Sequence, residues 1–174
     1  MGALLMTEIF APKETDPRET RSPLVPDTVK RLVGLGAAVT VESGAGAHAA
    51  VSDAAFEEAG AKISQDRKGS FGSADIVFRV RKPALEEITL LKNGAIHASF
   101  LDPFNEKPLI EAFAKQGVTA VSLEMMPRTT LAQKMDALSS QASHTDAHNK
   151  HARRRQGSRR SHHHWQDLAE PIRR

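Results

Sequence analysis

The sequence predicts an α/β fold, a doubly wound parallel sheet of Rossmann or flavodoxin-like layering with helices on both faces. Two observations predict it: short β-branched runs alternate regularly with amphipathic stretches, and each link between them is short. Consecutive parallel strands need right-handed helical crossovers, and this alternation supplies them. Ligands of such a sheet are expected at the C-terminal ends of its strands.

Met6–Phe10 reads as the first strand, followed by a polar loop from Pro12 to Arg21. Pro26 and Asp27 start a helix in which Val29, Leu32 and Val33 share a face before Gly36 ends it. Ala38–Glu42 is the second strand. Ser52 caps a helix over Asp53–Ala59, with Glu57 and Glu58 on its wet side and Gly60 as the stop, and Lys62–Ser64 reads as a short strand. Residues 65–73 read as a loop. The pattern then gives a strand at Asp75–Val80, a helix at Leu85–Leu91, a strand at Ala95–Phe100, a helix at Glu106–Gln116 ending at Gly117, and a strand at Val118–Leu123. The last periodic element is Thr129–Ala142, where Leu131, Met135, Leu138 and Ala142 form an apolar stripe opposite Gln133, Asp136, Ser139 and Ser140. Arg128 precedes it in a loop. An arginine donor, an adaptable amide and an orienting carboxylate are what a neutral hydrogen-bonding ligand requires, although a solvated helix face produces the same row.

Charge divides the chain. Residues 1–143 carry 16 basic and 18 acidic groups, whereas residues 144–174 carry eight and three, with six of the eight histidines. No amphipathic period survives beyond Ala142, and such a segment buries too little apolar surface to offset its ordering entropy. Residues 1–142 are therefore expected to form the domain and 143–174 an Arg/His-rich disordered tail. The chain has no cysteine, which excludes disulfides, thiolate nucleophiles and cysteine-ligated zinc. Neither a leader nor a run of apolar residues long enough to span a bilayer is evident, which predicts a cytoplasmic chain with no direct membrane span.

Two further motifs carry weak signals. Glu42-Ser-Gly-Ala-Gly-Ala-His48 follows a strand and has paired glycines, but a dinucleotide fingerprint needs a third where Ala49 stands, so a plain strand-end turn is expected. His144, His148 and His151 with His162, His163 and His164 could ligate zinc or nickel, and Arg153–Arg155 with Arg159–Arg160 attract phosphate. Without a rigid surrounding shell or interleaved aromatics, neither a designed metal site nor specific nucleic-acid recognition is expected.

Pro12-Lys-Glu with Arg21, the run Val29–Gly46, and above all Met126-Pro-Arg-Thr-Thr-Leu-Ala-Gln-Lys-Met-Asp-Ala-Leu-Ser-Ser-Gln-Ala142 resemble the N-terminal portion of the alpha subunit of proton-translocating NAD(P) transhydrogenase, a relative of alanine dehydrogenase. The resemblance covers about residues 5–142. It implies an oxidoreductase that passes hydride between NAD(H) and NADP(H), coupled to proton translocation, with NAD bound here and NADP on a partner domain. No acid–base catalytic residue is implied. The cofactor-binding residues carried over are Arg128, Thr129, Gln133, Asp136 and Ser139. Implied partners are a second copy in a homodimer and the membrane-embedded and NADP-binding subunits, which would hold the chain at the periphery of the inner membrane.

Alanine dehydrogenases carry a histidine in a Leu-His-Leu-like motif after the strand that corresponds to Ala95–Phe100. This chain reads Leu101-Asp-Pro-Phe-Asn105 there, which resembles the transhydrogenase version, and His97 is expected to be a packing residue. The family's NAD-binding Rossmann domain is expected soon after Gln141-Ala142, where the basic tail begins instead, so the sequence reads as a fragment of low activity truncated before that domain. A shifted reading frame would produce such a join. A soluble alanine dehydrogenase-like enzyme and a non-catalytic fragment binding anions or metal through its tail are the other readings left open.

Overall fold

The computed structural model describes residues 6–127 together with Thr129 and Ala132. Among the described residues six strands form one sheet: β1 (Glu8–Ala11), β2 (Ala38–Glu42), β3 (Lys62–Ser64), β4 (Ile76–Arg81), β5 (Ile96–Phe100) and β6 (Thr119–Ser122). Their order is β3-β2-β1-β4-β5-β6, and every adjacent pair is parallel. This is the doubly wound α/β fold, and its order reverses direction between β1 and β4. The sheet lies wholly within Met1–Met125, one of the two units into which the chain divides, the other being Met126–Arg174.

The crossovers are made by α1 (Pro26–Gly34), α2 (Asp53–Glu58), α3 (Arg67–Ser73), α4 (Leu85–Ile88) and α5 (Lys107–Gln116). Strand alternation sorts the apolar residues into two cores. On one face Ile9, Ala11, Val39, Val41 and Ala61 pack with Val29 of α1 and Phe56 of α2. On the other, Phe10, Val77 and Val118 pack with Phe71 of α3, Ile88 of α4 and Leu109 and Phe113 of α5. The period of two along each strand puts these residues on opposite faces, so a one-residue slip would expose both cores at once.

Most helix signals act as read. Pro26 opens α1, the Ser52 side chain accepts the Ala55 N–H, and Gly117 ends α5 in the left-handed region at φ 70°, which glycine adopts at least cost. The expected Leu85–Leu91 helix is shorter, closing at Ile88. Residues 65–73 are the correction. They hold α3, whose start is fixed by the Asp66 carboxylate accepting the Gly69 N–H at 2.9 Å. Gly69, Gly72 and two serines lower the intrinsic helix preference of this stretch, and tertiary packing overrides it: Phe71 is buried edge-on against Phe10, with ring centroids 5.1 Å apart. Beyond α3 the same sheet face is uncovered over β2 and β3, where Thr40, Lys62 and Ser64 line an open groove with Ser70 and Ser73. That accounts for the polar residues that alternate with Val39 and Val41.

Candidate functional site

Strands β1 and β4 are paired through Ile9↔Ile76 and Phe10↔Val77, and above that level their chains leave toward opposite sides. A crevice opens at such a point in doubly wound sheets. Here it is occupied by charge. Glu14, buried in the loop after β1, accepts the Val80 N–H at 2.6 Å and faces Arg79 at 3.4 Å. Arg79 also pairs with Glu87 of α4, Glu87 with Arg67 of α3, and Arg67 with Glu42 at the end of β2. The Lys13 N–H donates to Glu42 at 2.8 Å and the Lys13 carbonyl accepts from Arg67 at 3.1 Å. Burial raises the Glu87 carboxyl pKa, but the Arg67 and Arg79 guanidiniums outweigh it and hold the group below the usual glutamate range. The ladder thus ties the ends of β1, β2 and β4 to α3 and α4.

Beside it, Glu19 organises two half-exposed arginines. Its buried carboxylate accepts from Arg21 Nε and Nη2, both at 2.7 Å, and from Arg81 Nε at 2.7 Å. The hydrogen bonds from Arg21 chiefly, with Arg81 assisting against the cost of burial, lower its pKa to about 2. The Arg21 guanidinium also lies over the Phe100 ring. The remaining N–H donors of both arginines sit at the C-terminal edge of β4.

The glycine turn after β2 is the plain turn the sequence predicts. The Ser43 hydroxyl donates to Asp53 at 2.8 Å and the Gly44 N–H donates to the same carboxylate at 2.9 Å. An internal carboxylate therefore holds the position a phosphate would take. Gly46 serves packing, because a Cβ there would lie 2.6 Å from the Val51 carbonyl and 2.7 Å from the Phe56 ring.

After β5, Asp102 takes φ 52°, an uncommon value for a residue with a Cβ. Its N–H donates to Glu124 and its carboxylate accepts from Asn105 at 2.8 Å. His97 is fully buried inside β5, against the Phe113 ring, so the strand end carries an aspartate and no imidazole.

Of the residues expected to contact a cofactor, Thr129 alone is described. Its carbonyl accepts the Ala132 N–H at 3.1 Å. Arg128, Gln133, Asp136 and Ser139, the rest of the expected Thr129–Ala142 helix apart from Ala132, and the basic tail lie outside the described residues. Sequence reasoning misses Glu14, Glu19, Arg67, Arg79, Arg81 and Glu87 as a constellation. One signal is present: Arg79 shares strand parity with Val77, an inward position, and an inward arginine demands carboxylate partners.

The profile of the family described as "Alanine dehydrogenase/PNT, N-terminal domain" matches residues 10–145. The chain is similar to the first portion of NAD(P) transhydrogenase subunit alpha from Rhodospirillum rubrum, 41% identical over 140 residues, covering 78% of this chain and 36% of that protein. It is similar to the crystal structure of transhydrogenase from Sinorhizobium meliloti, with TM-score 0.73 and 39% identity over 78% of this chain and 40% of that one. Alanine dehydrogenase of Bacillus subtilis is 35% identical over 116 residues, 67% of this chain and 30% of that enzyme. The chain thus spans about a third of the length of these relatives. With the profile matched across the sheet and the fold reproduced in a solved relative, this chain belongs to the alanine dehydrogenase/PNT N-terminal domain family.

Proposed function

We propose that this chain is the N-terminal portion of the NAD(H)-side subunit of a proton-translocating NAD(P) transhydrogenase. The observation that carries the reading over its alanine dehydrogenase relatives is the end of β5, where Asp102 stands in a left-handed turn bonded to Glu124 and Asn105, and the buried His97 is turned into the core. Oxidation of an amino acid needs a group that accepts and returns a proton at the reacting nitrogen or oxygen. Hydride transfer between two nicotinamide rings needs orientation alone, which contributes several kcal/mol when the rings are held in near-attack geometry.

The described residues do not fit a dinucleotide pyrophosphate. The Ser43 and Gly44 donors are taken by Asp53, and the crevice between β1 and β4 is filled by the Glu14–Arg79–Glu87–Arg67–Glu42 ladder. The role of this chain in cofactor binding is therefore confined to the nicotinamide end. Arg128 donates to the carboxamide oxygen, Gln133 bonds the nicotinamide ribose, Asp136 holds Gln133 in its competent rotamer, and Thr129 and Ser139 complete the wall. The pyrophosphate and adenosine ends fall to the portion of the relatives beyond the match. Membrane-embedded and NADP-binding subunits are the proposed partners, with a second copy of this chain. They place the chain on the cytoplasmic face of the inner membrane. No helix among the described residues is long and apolar enough to cross a membrane.

Calorimetric titration with NADH tests the reading. Losing the charge-assisted bonds of a pyrophosphate site, each worth about 1.5–3 kcal/mol, lowers affinity to roughly millimolar or abolishes it. A micromolar constant that survives both Arg128→Ala and Gln133→Ala overturns the residue assignment. Turnover of pyruvate with NADH and ammonia would instead establish the amino-acid dehydrogenase.

A further inference from the structure

Four polar side chains interrupt the apolar face of the sheet beneath α5. Val77 pairs with His97 and His97 with Ala120, so these share the face that carries Phe113 and Ile88. Arg79 and Ser99 follow at the next same-parity positions, and Ser99 pairs with Ser122. The register between β4 and β5 shifts between Phe78 and Arg81, so Arg79 and Val80 together face Ser99. The result is a cross-strand row, Arg79, Ser99, Ser122, with His97 one step below.

Within this row the hydrogen bonds do not close. His97 Nε2 bonds Ser99 Oγ at 3.2 Å, but His97 Nδ1, Arg79 Nε and Ser122 Oγ are each buried without a partner among the described residues. Arg79 and His97 are at most 2% exposed, so bulk water does not reach these atoms. A buried donor or acceptor without a partner is costly, and three around one hydroxyl are a site rather than an accident of packing.

We propose that this row binds a resident water molecule, held by Arg79 Nε–H, His97 Nδ1 and the serine hydroxyls of β5 and β6. The charge balance selects water over an ion. The Arg79 guanidinium already faces the carboxylates of Glu14 and Glu87, which leave no excess positive charge for an anion. A cation is disfavoured by the same guanidinium and by Phe113 and Ile88 around it. The imidazole is held neutral by burial first and by Arg79 second, so one of its nitrogens is free to accept. Water both donates and accepts, and two to four polar partners are what an internal water needs.

The test uses the full chain labelled with 15N. The Arg79 Nε–H resonance, identified by its loss in Arg79→Lys, is expected to survive exchange with bulk solvent and to show a cross-peak to water with the sign of a long-lived bound molecule. Ser122→Val, which keeps shape and removes the hydroxyl, is expected to abolish that cross-peak while leaving the β4–β5 backbone pattern unchanged. Titration with potassium bromide is expected to leave the resonance in place. An Arg79 Nε–H that contacts protein protons only overturns the proposal, as does a saturable bromide shift, which would make the row an anion site. Because the water cross-peak is read on the unmodified protein, the outcome does not depend on either variant folding.

Discussion

Glu19 shows how one buried carboxylate sets the charge of an exposed edge. It is almost wholly buried, while the arginines it serves are half in water, so its bonds are screened from one side only. Replacing it by Gln in Glu19→Gln keeps the shape and removes the charge. We expect a loss of about 1–2 kcal/mol in urea denaturation at pH 7, discounted for solvent around Arg21 and Arg81. The pH dependence follows from the lowered pKa. A glutamate that titrates near 4.5 when unfolded and near 2 when folded stabilises the protein above pH 4.5, and that contribution disappears as pH falls toward 2. Glu19→Gln should flatten this part of the stability profile. His97 acts higher on the scale. Burial chiefly, and then Arg79, push it from 6.5 down to about 3, so between these values the unfolded chain binds a proton that the folded chain refuses. Stability should therefore fall as pH drops from 6.5 toward 3, and His97→Leu should remove that slope. An unchanged slope in the variant would show that the imidazole titrates normally in the folded protein.

At the scale of single elements, α3 shows where reading a sequence for periodicity fails. A seven-residue helix holding two glycines and two serines has no stripe to detect, and its existence depends on one cap and one aromatic contact. The cap and Gly69 are coupled. A Cβ on Gly69 would collide with the Asp66 Oδ2 atom, so Gly69→Ala must swing the capping carboxylate away. Losing the cap costs about 1 kcal/mol, and Ala in place of Gly returns about 0.5–1 kcal/mol. The single variant should be close to neutral, whereas the same change in an Asp66→Ala background should stabilise by the full propensity gain. Equal effects in the two backgrounds would mean that the carboxylate moves aside without losing its bond. The elements that are legible carry stronger signals. Helix α5 has Pro108 in its first turn, an apolar face through Leu109 and Phe113, and Gly117 in the left-handed cap, so local preference and packing agree. The ends of β2 and β5 can be read to within one residue, because buried β-branched or small residues alternate there over a full run.

On the scale of the whole molecule, the strand order is that of a dinucleotide-binding sheet, and its C-terminal edge has been built for something else. The layering is legible because every crossover leaves a strand–helix repeat in the sequence. The ladder at the crevice is not, because Glu14, Glu42, Arg67, Arg79 and Glu87 come from five segments that only the fold brings together. Asp53 provides the direct check on this difference between fold and function. Its carboxylate occupies the Ser43 and Gly44 donors as a built-in anion, at an effective concentration that dissolved phosphate does not match. Inorganic pyrophosphate added to the intact chain should leave the amide resonances of Ser43, Gly44 and Ala45 in place. In Asp53→Ala those donors are freed beside the Lys13 ammonium, whose Nζ lies 3.6 Å from where a Gly44 Cβ would stand, and pyrophosphate should then shift them with roughly millimolar affinity. Shifts of the same size in the unmodified chain would mean that Asp53 yields to phosphate. The turn after β2 would then be a nucleotide cradle after all, and the division of labour proposed for this subunit would have to be redrawn.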